Sequence, residues 1–170
     1  VKARLPWLLV LMVSYVFTGG MIASFEKSLS AVIALVAYMP MLMGTGGNSG
    51  TQSSTVIITG MATGDLELSD VLRVLWKEFR IGIIVGICVS ILNYMRIVAF
   101  DHNGSLVALT VCLSMVLIVI IAKCIGALLP MIAKKIGIDP ALIAGPMMAS
   151  LTDMVALGTY FTMARLVLKI

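Results

Sequence analysis

The sequence predicts an all-α, polytopic membrane protein with five transmembrane helices. Of its 170 residues, 61% are hydrophobic and 12% are charged, whereas soluble domains carry about 25% charged residues. The mean hydropathy is +1.12, and several apolar stretches reach the roughly 20 residues that a helix needs to cross a bilayer. The basic residues lie mostly between these stretches, where topology signals occur. The net charge of +4 is therefore no indication of nucleic-acid binding.

Five spans follow one another, and no soluble domain fits between them. They cover residues 5–25, 29–62, 72–100, 105–131 and 141–168. The second span would measure about 50 Å as one straight helix, against a hydrocarbon core of about 30 Å. It must tilt strongly, project into the cytosol, or break near Pro40 and the glycines that follow. The fifth span opens with Asp139-Pro140, which predicts a helix N-cap followed by a first helical proline.

The distribution of Lys and Arg predicts the orientation of the spans. With a cytoplasmic N-terminus, the larger group of basic residues lies on or near the cytoplasmic side: Lys2, Arg4, Arg73, Lys77, Arg80, Lys123, Lys134 and Lys135. The smaller group then lies near the outside: Lys27, Arg96, Arg165 and Lys169. We therefore expect a multi-pass cell-membrane protein with its C-terminus outside. Residues 64–80 become an amphipathic cytoplasmic connector that lies partly on the membrane surface.

An uncharged polar patch interrupts the second span. Residues 44–55 read GTGGNSGTQSST, between SAVIALVAYMPMLM and VIITGMA. At membrane depth each hydroxyl, amide and carbonyl needs a partner or water, so such a patch indicates a lined cavity or pore. If the region is helical, five of its residues share one face: Gly44, Asn48, Thr51, Gln52 and Thr55.

Close helix packing is the competing interpretation of the glycines. The pairs Gly46–Gly50 and Gly60–Gly64 have the spacing of small residues at helix contacts. Packing alone does not require Asn48, Gln52 and the neighbouring hydroxyls, so the pattern favours a pore lining.

The acidic residues single out one position in the fifth span. Seven of the eight are expected at the ends of spans or between them: Glu26, Asp65, Glu67, Asp70, Glu78, Asp101 and Asp139. The eighth, Asp153, lies well inside the fifth span, where a lone carboxylate costs several kcal/mol unless it is paired, protonated or hydrated. We expect Asp153 to be functional. The alternative is a protonated Asp that hydrogen-bonds between helices.

The helical repeat extends this site along the fifth span. One face carries mostly small side chains: Ala149, Thr152, Asp153, Ala156 and Tyr160. Small residues on that face would let another helix or a hydrated ion come close. Each polar patch lies roughly midway along its span, so the two could meet at one depth. Four residues are expected to line the pore beside the cation site: Gln52, Thr55, Thr152 and Ala156.

The ligand types indicate a hard cation. Carboxylate, amide and hydroxyl oxygens suit Mg²⁺, Ca²⁺, Mn²⁺ or Na⁺ rather than Cu or Zn. One carboxylate per chain leaves a divalent ion under-neutralised, whereas a twofold dimer would bring two copies of Asp153 to one axis. So few charged ligands suit Mg²⁺, which usually keeps several waters. The sequence shows no nucleotide loop, zinc signature or catalytic set, and it has one His, so we do not expect an enzyme.

Two stretches carry a specific pattern, YMPMLMGTGGNSGTQSSTVIITGMATGDL at 38–66 and DPALIAGPMMASLTDMVALGTYF at 139–161. Both are similar to the signature of the MgtE family of magnesium channels and transporters, whose five-span order matches essentially the whole chain. The resemblance implies a homodimer with an ion pathway between the second and fifth spans of both subunits. It also implies that Asp153 holds hydrated Mg²⁺, with a surrounding lining: Asn48, the side-chain position of Thr51, and the backbone at Gly44, Gly47 and Ala149.

Two features depart from the gated channels of this family. Those members carry a cytosolic N-domain and paired CBS domains before the first span, and this sequence shows neither. It begins with Val1 directly at a span, so we expect an excised membrane domain whose regulatory domains are separate or deleted. In addition, Thr59 stands where the family often has a basic residue.

These observations predict passive passage of divalent cations, above all Mg²⁺, through a dimeric pore in the lipid bilayer. The pore would recognise a largely hydrated ion. Two alternatives stay open. One is an exchanger coupled to Na⁺ or H⁺ that uses Asp153 and a broken second span. The other is a non-transporting membrane subunit whose glycines serve only helix association.

Overall fold

The computed structural model describes residues 5–26, 32–101, 104–142 and 145–169. Within these ranges it shows five long α-helices and no strand, which confirms the predicted all-α fold. The helices are α1 (Leu5–Ser24), α2 (Ala34–Thr63), α3 (Val71–Arg96), α4 (Ser105–Lys135) and α5 (Pro146–Leu168).

Among the described residues, three stretches are long and apolar enough to cross a membrane: Leu68–Asp101, Ser105–Lys135 and Met147–Leu168. In α1 the apolar stretch is shorter, Leu11–Ser24. The second helix is long enough, but the polar patch lowers its hydropathy. The chain is therefore a membrane protein, and the helix that carries the polar patch is not among the three stretches.

The fourth helix is the centre of the bundle. It packs against α2, α3 and α5, while α2 also packs against α5, and α1 lies against α5. Helices α2 and α4 run in the same direction, because Gly46 lies near Ile118 and, four residues later in both helices, Gly50 lies near Ala122. The polar patch of α2 is therefore in contact with both α4 and α5.

Two apolar clusters hold α2 on either side of its polar patch. The first joins the beginning of α2 to α4 and α5 and includes Leu35, Leu42, Met115, Ile118, Leu157 and Tyr160. The second joins the end of α2 to α3 and α4 and includes Ile57, Met61, Val74, Ala127 and Met131. Residues 44–55 lie between these clusters, so apolar packing fixes the helix at both ends and leaves its polar segment in the middle.

The second span does not break. It forms one continuous helix of 30 residues that contains Pro40 and the glycines of the patch. A helix of this length measures about 45 Å, which exceeds a hydrocarbon core of about 30 Å, so tilt or projection must take up the difference. The backbone carbonyls of the patch belong to the helix and are not released as ligands by unwinding.

The fifth helix begins at Pro146 rather than at residue 141. Asp139 does act as a cap, since its Oδ1 accepts a hydrogen bond from the Ala141 N–H at 2.9 Å. It caps only the 3₁₀ turn Pro140–Leu142. Gly145 has a non-helical backbone, and the proline that follows it suits the first helical position because no N–H is needed there.

The connector between the second and third spans is short. Gly64 ends α2 in the left-handed conformation, with φ of 82°. The 3₁₀ turn Leu68–Asp70 follows, and α3 begins at Val71, so most of the predicted connector is helical. Lys2, Arg4 and Lys27, which enter the orientation argument, lie outside the described residues.

Candidate cation site

The polar patch of α2 is divided between two faces of the helix. One set is buried against other helices: Gly46, Ser49, Gly50, Ser53 and Ser54. The other set is exposed or partly exposed, and we call it the polar stripe: Gly44, Asn48, Thr51, Gln52 and Thr55. The packing interpretation therefore fits the first set, and only the second set is accessible for the pore lining that the sequence predicts.

Small residues let α2 approach its neighbours closely. A Cβ added at Gly50 would lie 2.9 Å from Thr152 Cγ2 and 3.3 Å from the carbonyl oxygen of Ala122. A Cβ added at Gly126 would overlap the carbonyl oxygen of Gly50. A side chain at either glycine would push the helices apart, which confirms the packing interpretation for Gly46–Gly50. Gly60 serves the chain reversal instead, since its carbonyl accepts the Leu66 N–H at 3.0 Å.

Asp153 lies where α5 passes the polar patch. A Cβ added at Gly47 would lie 3.9 Å from Asp153 Oδ1, 3.8 Å from Thr152 Oγ1 and 4.0 Å from Ala149 Cα. The two patches that the sequence placed at one depth are thus in contact. The Asp153 carboxylate is partly exposed, and it forms no hydrogen bond or ion pair with any residue that the structure describes.

The predicted face of α5 is itself divided. Thr152 is buried, and its hydroxyl donates to carbonyl oxygens of its own helix at 2.8 and 2.9 Å. Ala156 is buried beside Gly46, at 3.6 Å from a Cβ placed there. In this chain both residues hold α5 against α2, while Ala149 and Asp153 stay partly exposed. The accessible part of the candidate site is therefore smaller than the face predicted from the helical repeat.

Two charged residues expected at the ends of spans lie buried inside the bundle. Glu78 of α3 is 5% exposed, Lys123 of α4 is 6% exposed, and Lys123 Nζ lies 3.9 Å from Glu78 Oε2. Ser53 of α2 joins them, because its hydroxyl donates to Glu78 Oε2 at 2.5 Å and accepts from Lys123 Nζ at 3.4 Å. We call these three residues the buried cluster. Glu78 is the eighth residue of α3 and Lys123 is the nineteenth of α4. Their burial against other helices was not predicted from their expected places near the ends of spans.

A signal for this cluster is present in the sequence. Lys123 stands alone among apolar residues in VIIAKCIGALL, at 119–129. A lysine inside a span needs a counter-charge or water. The sequence does not show which carboxylate supplies it, because the answer depends on how α3 and α4 pack.

A second charged contact lies near the start of α2. Tyr38 donates from its hydroxyl to Asp101 Oδ2 at 2.9 Å, and Arg96 Nη1 lies 3.2 Å from the same carboxylate oxygen. Arg96 Nε also donates to Asn93 Oδ1 at 3.2 Å. These contacts tie the beginning of α2 to the end of α3.

The chemistry of the site is that of a weakly coordinating oxygen surface. Across the described ranges, no three side chains of the His, Cys, Asp and Glu types converge to hold a metal. A dehydrated divalent ion takes six or more oxygen ligands. The described residues of one chain offer no such set of charged ligands.

Comparison with known proteins identifies the family of the chain. The pattern of the MgtE family, described as a divalent cation transporter, matches residues 39–163, which include the polar stripe and Asp153. The magnesium transporter MgtE of Thermus thermophilus is 41% identical over 167 residues, covering 98% of this chain and 37% of that protein. The magnesium transporter MgtE of Bacillus subtilis is 35% identical over 161 residues, covering 95% and 36%.

The matching protein of Enterococcus faecalis, also a magnesium transporter MgtE, is 29% identical over 166 residues. The chain spans a little more than a third of the length of these relatives. The match to the family pattern includes the residues of α2 and of α5 that contact each other, and it covers well over half of the chain. The chain belongs to the MgtE family of divalent cation transporters.

Proposed function

We propose that this chain carries Mg²⁺ across the cell membrane through a dimeric pore that recognises a largely hydrated ion. Family membership and the names of the relatives support the choice of ion. One observation carries the proposal. The carboxylate of Asp153 lies inside an apolar helix, beside the glycine backbone of α2, with no partner among the described residues of its own chain. An ionised carboxylate in that position needs water or a cation, whereas the alternative, a protonated Asp153, would hydrogen-bond to another helix, and no such bond is present among the described residues.

The polar stripe continues the site along α2. Asn48, Gln52 and Thr55 are exposed and follow one another at about one helical turn, so they present amide and hydroxyl groups at successive depths. The water shell of a passing ion would exchange hydrogen bonds with these groups while Asp153 balances part of its charge. Gly44 and Gly47 have no side chain, and those of Thr51 and Ala149 are small, so all four would leave room for a hydrated ion.

A second copy of the chain supplies what one copy lacks. One carboxylate balances half of the charge of a divalent ion, and a polar stripe facing lipid is unfavourable. A twofold axis beside the α2–α5 face would bring two copies of Asp153 and two stripes around one aqueous path. With the N-terminus cytoplasmic, an inside-negative potential would favour entry by about 4.6 kcal/mol per divalent ion per 100 mV.

The test is Mg²⁺ flux into proteoliposomes made with the wild type, Asp153→Asn and Asp139→Asn. We expect Asp153→Asn to reduce flux more than tenfold, because it keeps the shape of the side chain and removes its charge. Asp139→Asn is the matched control, since asparagine caps a helix as well as aspartate does, and its flux should stay within twofold of the wild type. Equal flux in the wild type and Asp153→Asn would contradict the proposal.

The same vesicles distinguish the alternatives. An imposed Na⁺ or proton gradient should leave the flux through a passive pore unchanged. Flux that follows either gradient would identify a coupled exchanger. Absence of flux for every divalent cation in the wild type would favour a subunit that serves helix association only.

A further inference from the structure

The buried cluster has no part in the pathway described above, yet one of its members belongs to the pathway helix. At 100° per residue, Ser53 points about 150° away from the centre of the polar stripe on α2. Its hydroxyl therefore faces α3 and α4 while the stripe faces outward. The cluster and the stripe lie on nearly opposite sides of one helix.

We propose that the Ser53–Glu78–Lys123 cluster is a positioning device that sets the rotation of α2 about its axis and so aims the polar stripe and Gly47 at the Asp153 site. This inference rests on the proposed function, because a rotational setting matters only if α2 lines the ion path.

The contacts of the cluster are specific for one rotation. Ser53 donates to Glu78 at 2.5 Å and accepts from Lys123 at 3.4 Å, whereas the two charged groups are 3.9 Å apart. The serine hydroxyl thus bridges the ion pair. Turning α2 by one residue would move this hydroxyl by about 100°, and both buried charges would lose a hydrogen-bonding partner. Buried charges tolerate such a loss poorly.

Close packing on the same side of α2 strengthens the effect. Gly50 lies about one turn before Ser53, and Gly126 lies about one turn after Lys123. The backbones of α2 and α4 approach each other at these two glycines. The glycines set how near the helices come, and the hydroxyl adds a directional contact that apolar packing lacks. A small rotation of α2 therefore meets both a steric and an electrostatic penalty.

A neighbouring residue provides a matched control for the test. Ser53 is 2% exposed and Ser54 is 0% exposed. The Ser54 hydroxyl has no hydrogen-bond partner in the part of the chain that the structure describes. Ser53→Ala and Ser54→Ala therefore remove the same buried atom one residue apart, but only the first removes the link to the cluster.

The first readout is the ratio of Mg²⁺ to Ca²⁺ flux in proteoliposomes. We expect Ser53→Ala to shift this ratio about tenfold, because the oxygen groups of the stripe no longer face the site at the correct angle. Ser54→Ala should leave the ratio within twofold of the wild type. An unchanged ratio in folded Ser53→Ala would overturn the proposal.

The second readout is independent of transport. In a background without the three native cysteines, Gln52→Cys reports the exposure of the stripe to a membrane-impermeant maleimide. Adding Ser53→Ala should change the labelling rate several-fold, and adding Ser54→Ala should not. If Asp153→Asn leaves flux intact while Ser53→Ala changes labelling, the proposed function fails and the positioning role stands. Labelling that is unchanged by Ser53→Ala contradicts positioning itself.

A double variant separates positioning from plain stabilisation. Glu78→Gln or Lys123→Met alone leaves an unpaired buried group, and either variant is expected to fold poorly. The double variant Glu78→Leu/Lys123→Met removes both charges together with the oxygen that accepts from Ser53, and an apolar pair of similar volume should fold. We expect it to show the same shift of the flux ratio as Ser53→Ala. A folded double variant with the wild-type ratio would show that the pair serves stability alone.

Discussion

The polar stripe and the buried cluster occupy opposite sides of α2, and they differ in charge, in burial and in hydrogen bonding. The cluster contains charged groups, and it is buried and paired within its own chain. The stripe is neutral and exposed, and within the described residues the side chains of Asn48 and Gln52 form no hydrogen bond. The Thr55 hydroxyl donates to the Thr51 carbonyl of its own helix. Because polar groups at membrane depth need partners, the amides of Asn48 and Gln52 must find theirs outside the described residues.

This difference separates structural polarity from candidate transport chemistry. Substitutions in the buried cluster should reduce the free energy of unfolding, because they leave buried groups unpaired. Substitutions in the stripe should change ion flux with little effect on unfolding. The four predictions below test this division on one scale, the free energy of unfolding in mixed detergent micelles.

The largest loss is expected for Lys123→Met. It leaves Glu78 buried without its counter-charge, which costs about 3–5 kcal/mol. Denaturant unfolding of the purified protein measures this cost, and Lys135→Met, at the exposed end of α4, should lose less than about 1 kcal/mol. A loss below about 1 kcal/mol for Lys123→Met would show that Glu78 does not depend on this lysine.

A smaller loss is expected for Gly126→Ala. The new methyl group would overlap the Gly50 carbonyl, and forcing α2 and α4 apart should cost about 3 kcal/mol. Gly19→Ala is the control, because a Cβ there meets no atom within 4 Å in the described structure. Equal stability of the two variants would mean that α2 and α4 do not depend on close approach.

The contact between Tyr38 and Asp101 should contribute less, because Arg96 also pairs with this carboxylate. Removing the hydroxyl with Tyr38→Phe should cost about 1.5 kcal/mol, as expected for a hydrogen bond to a charged group. Tyr94→Phe, at a residue that is 41% exposed, serves as the comparison and should be nearly neutral. Identical unfolding curves for both variants would show that the hydrogen bond from Tyr38 to Asp101 does not stabilise the fold.

The smallest effect on unfolding is expected in the stripe. Asn48→Leu should change the free energy of unfolding by no more than about 0.5 kcal/mol, as for other exposed positions, while Mg²⁺ flux falls several-fold. A decrease of more than about 1 kcal/mol in the free energy of unfolding would show that Asn48 stabilises the fold as the buried cluster does, which would contradict the division between stripe and cluster. Unchanged flux would remove it from the pathway.

The predictable part of the structure is local in origin. The five helices were predicted from apolar stretches, of which three are long and apolar enough to cross a membrane. The position of two polar patches midway along their spans allowed the contact between Gly47 and Asp153 but did not require it. The start of α5 was less predictable. Asp139 and Pro140 carry a true capping signal, but a single 3₁₀ turn satisfies it. A local signal identifies a turn without stating how far the turn continues.

The sequence by itself determined the membrane class, the five helices, the polar patch and the isolated carboxylate of Asp153, because composition and helical period act within one segment. Only the tertiary structure decided which face of the patch is buried, that α2 stays unbroken, and that Ser53 joins Glu78 to Lys123. These outcomes depend on three helices meeting at one point. The free energy of a buried charge is set by neighbours that are distant in the chain, which no local pattern records.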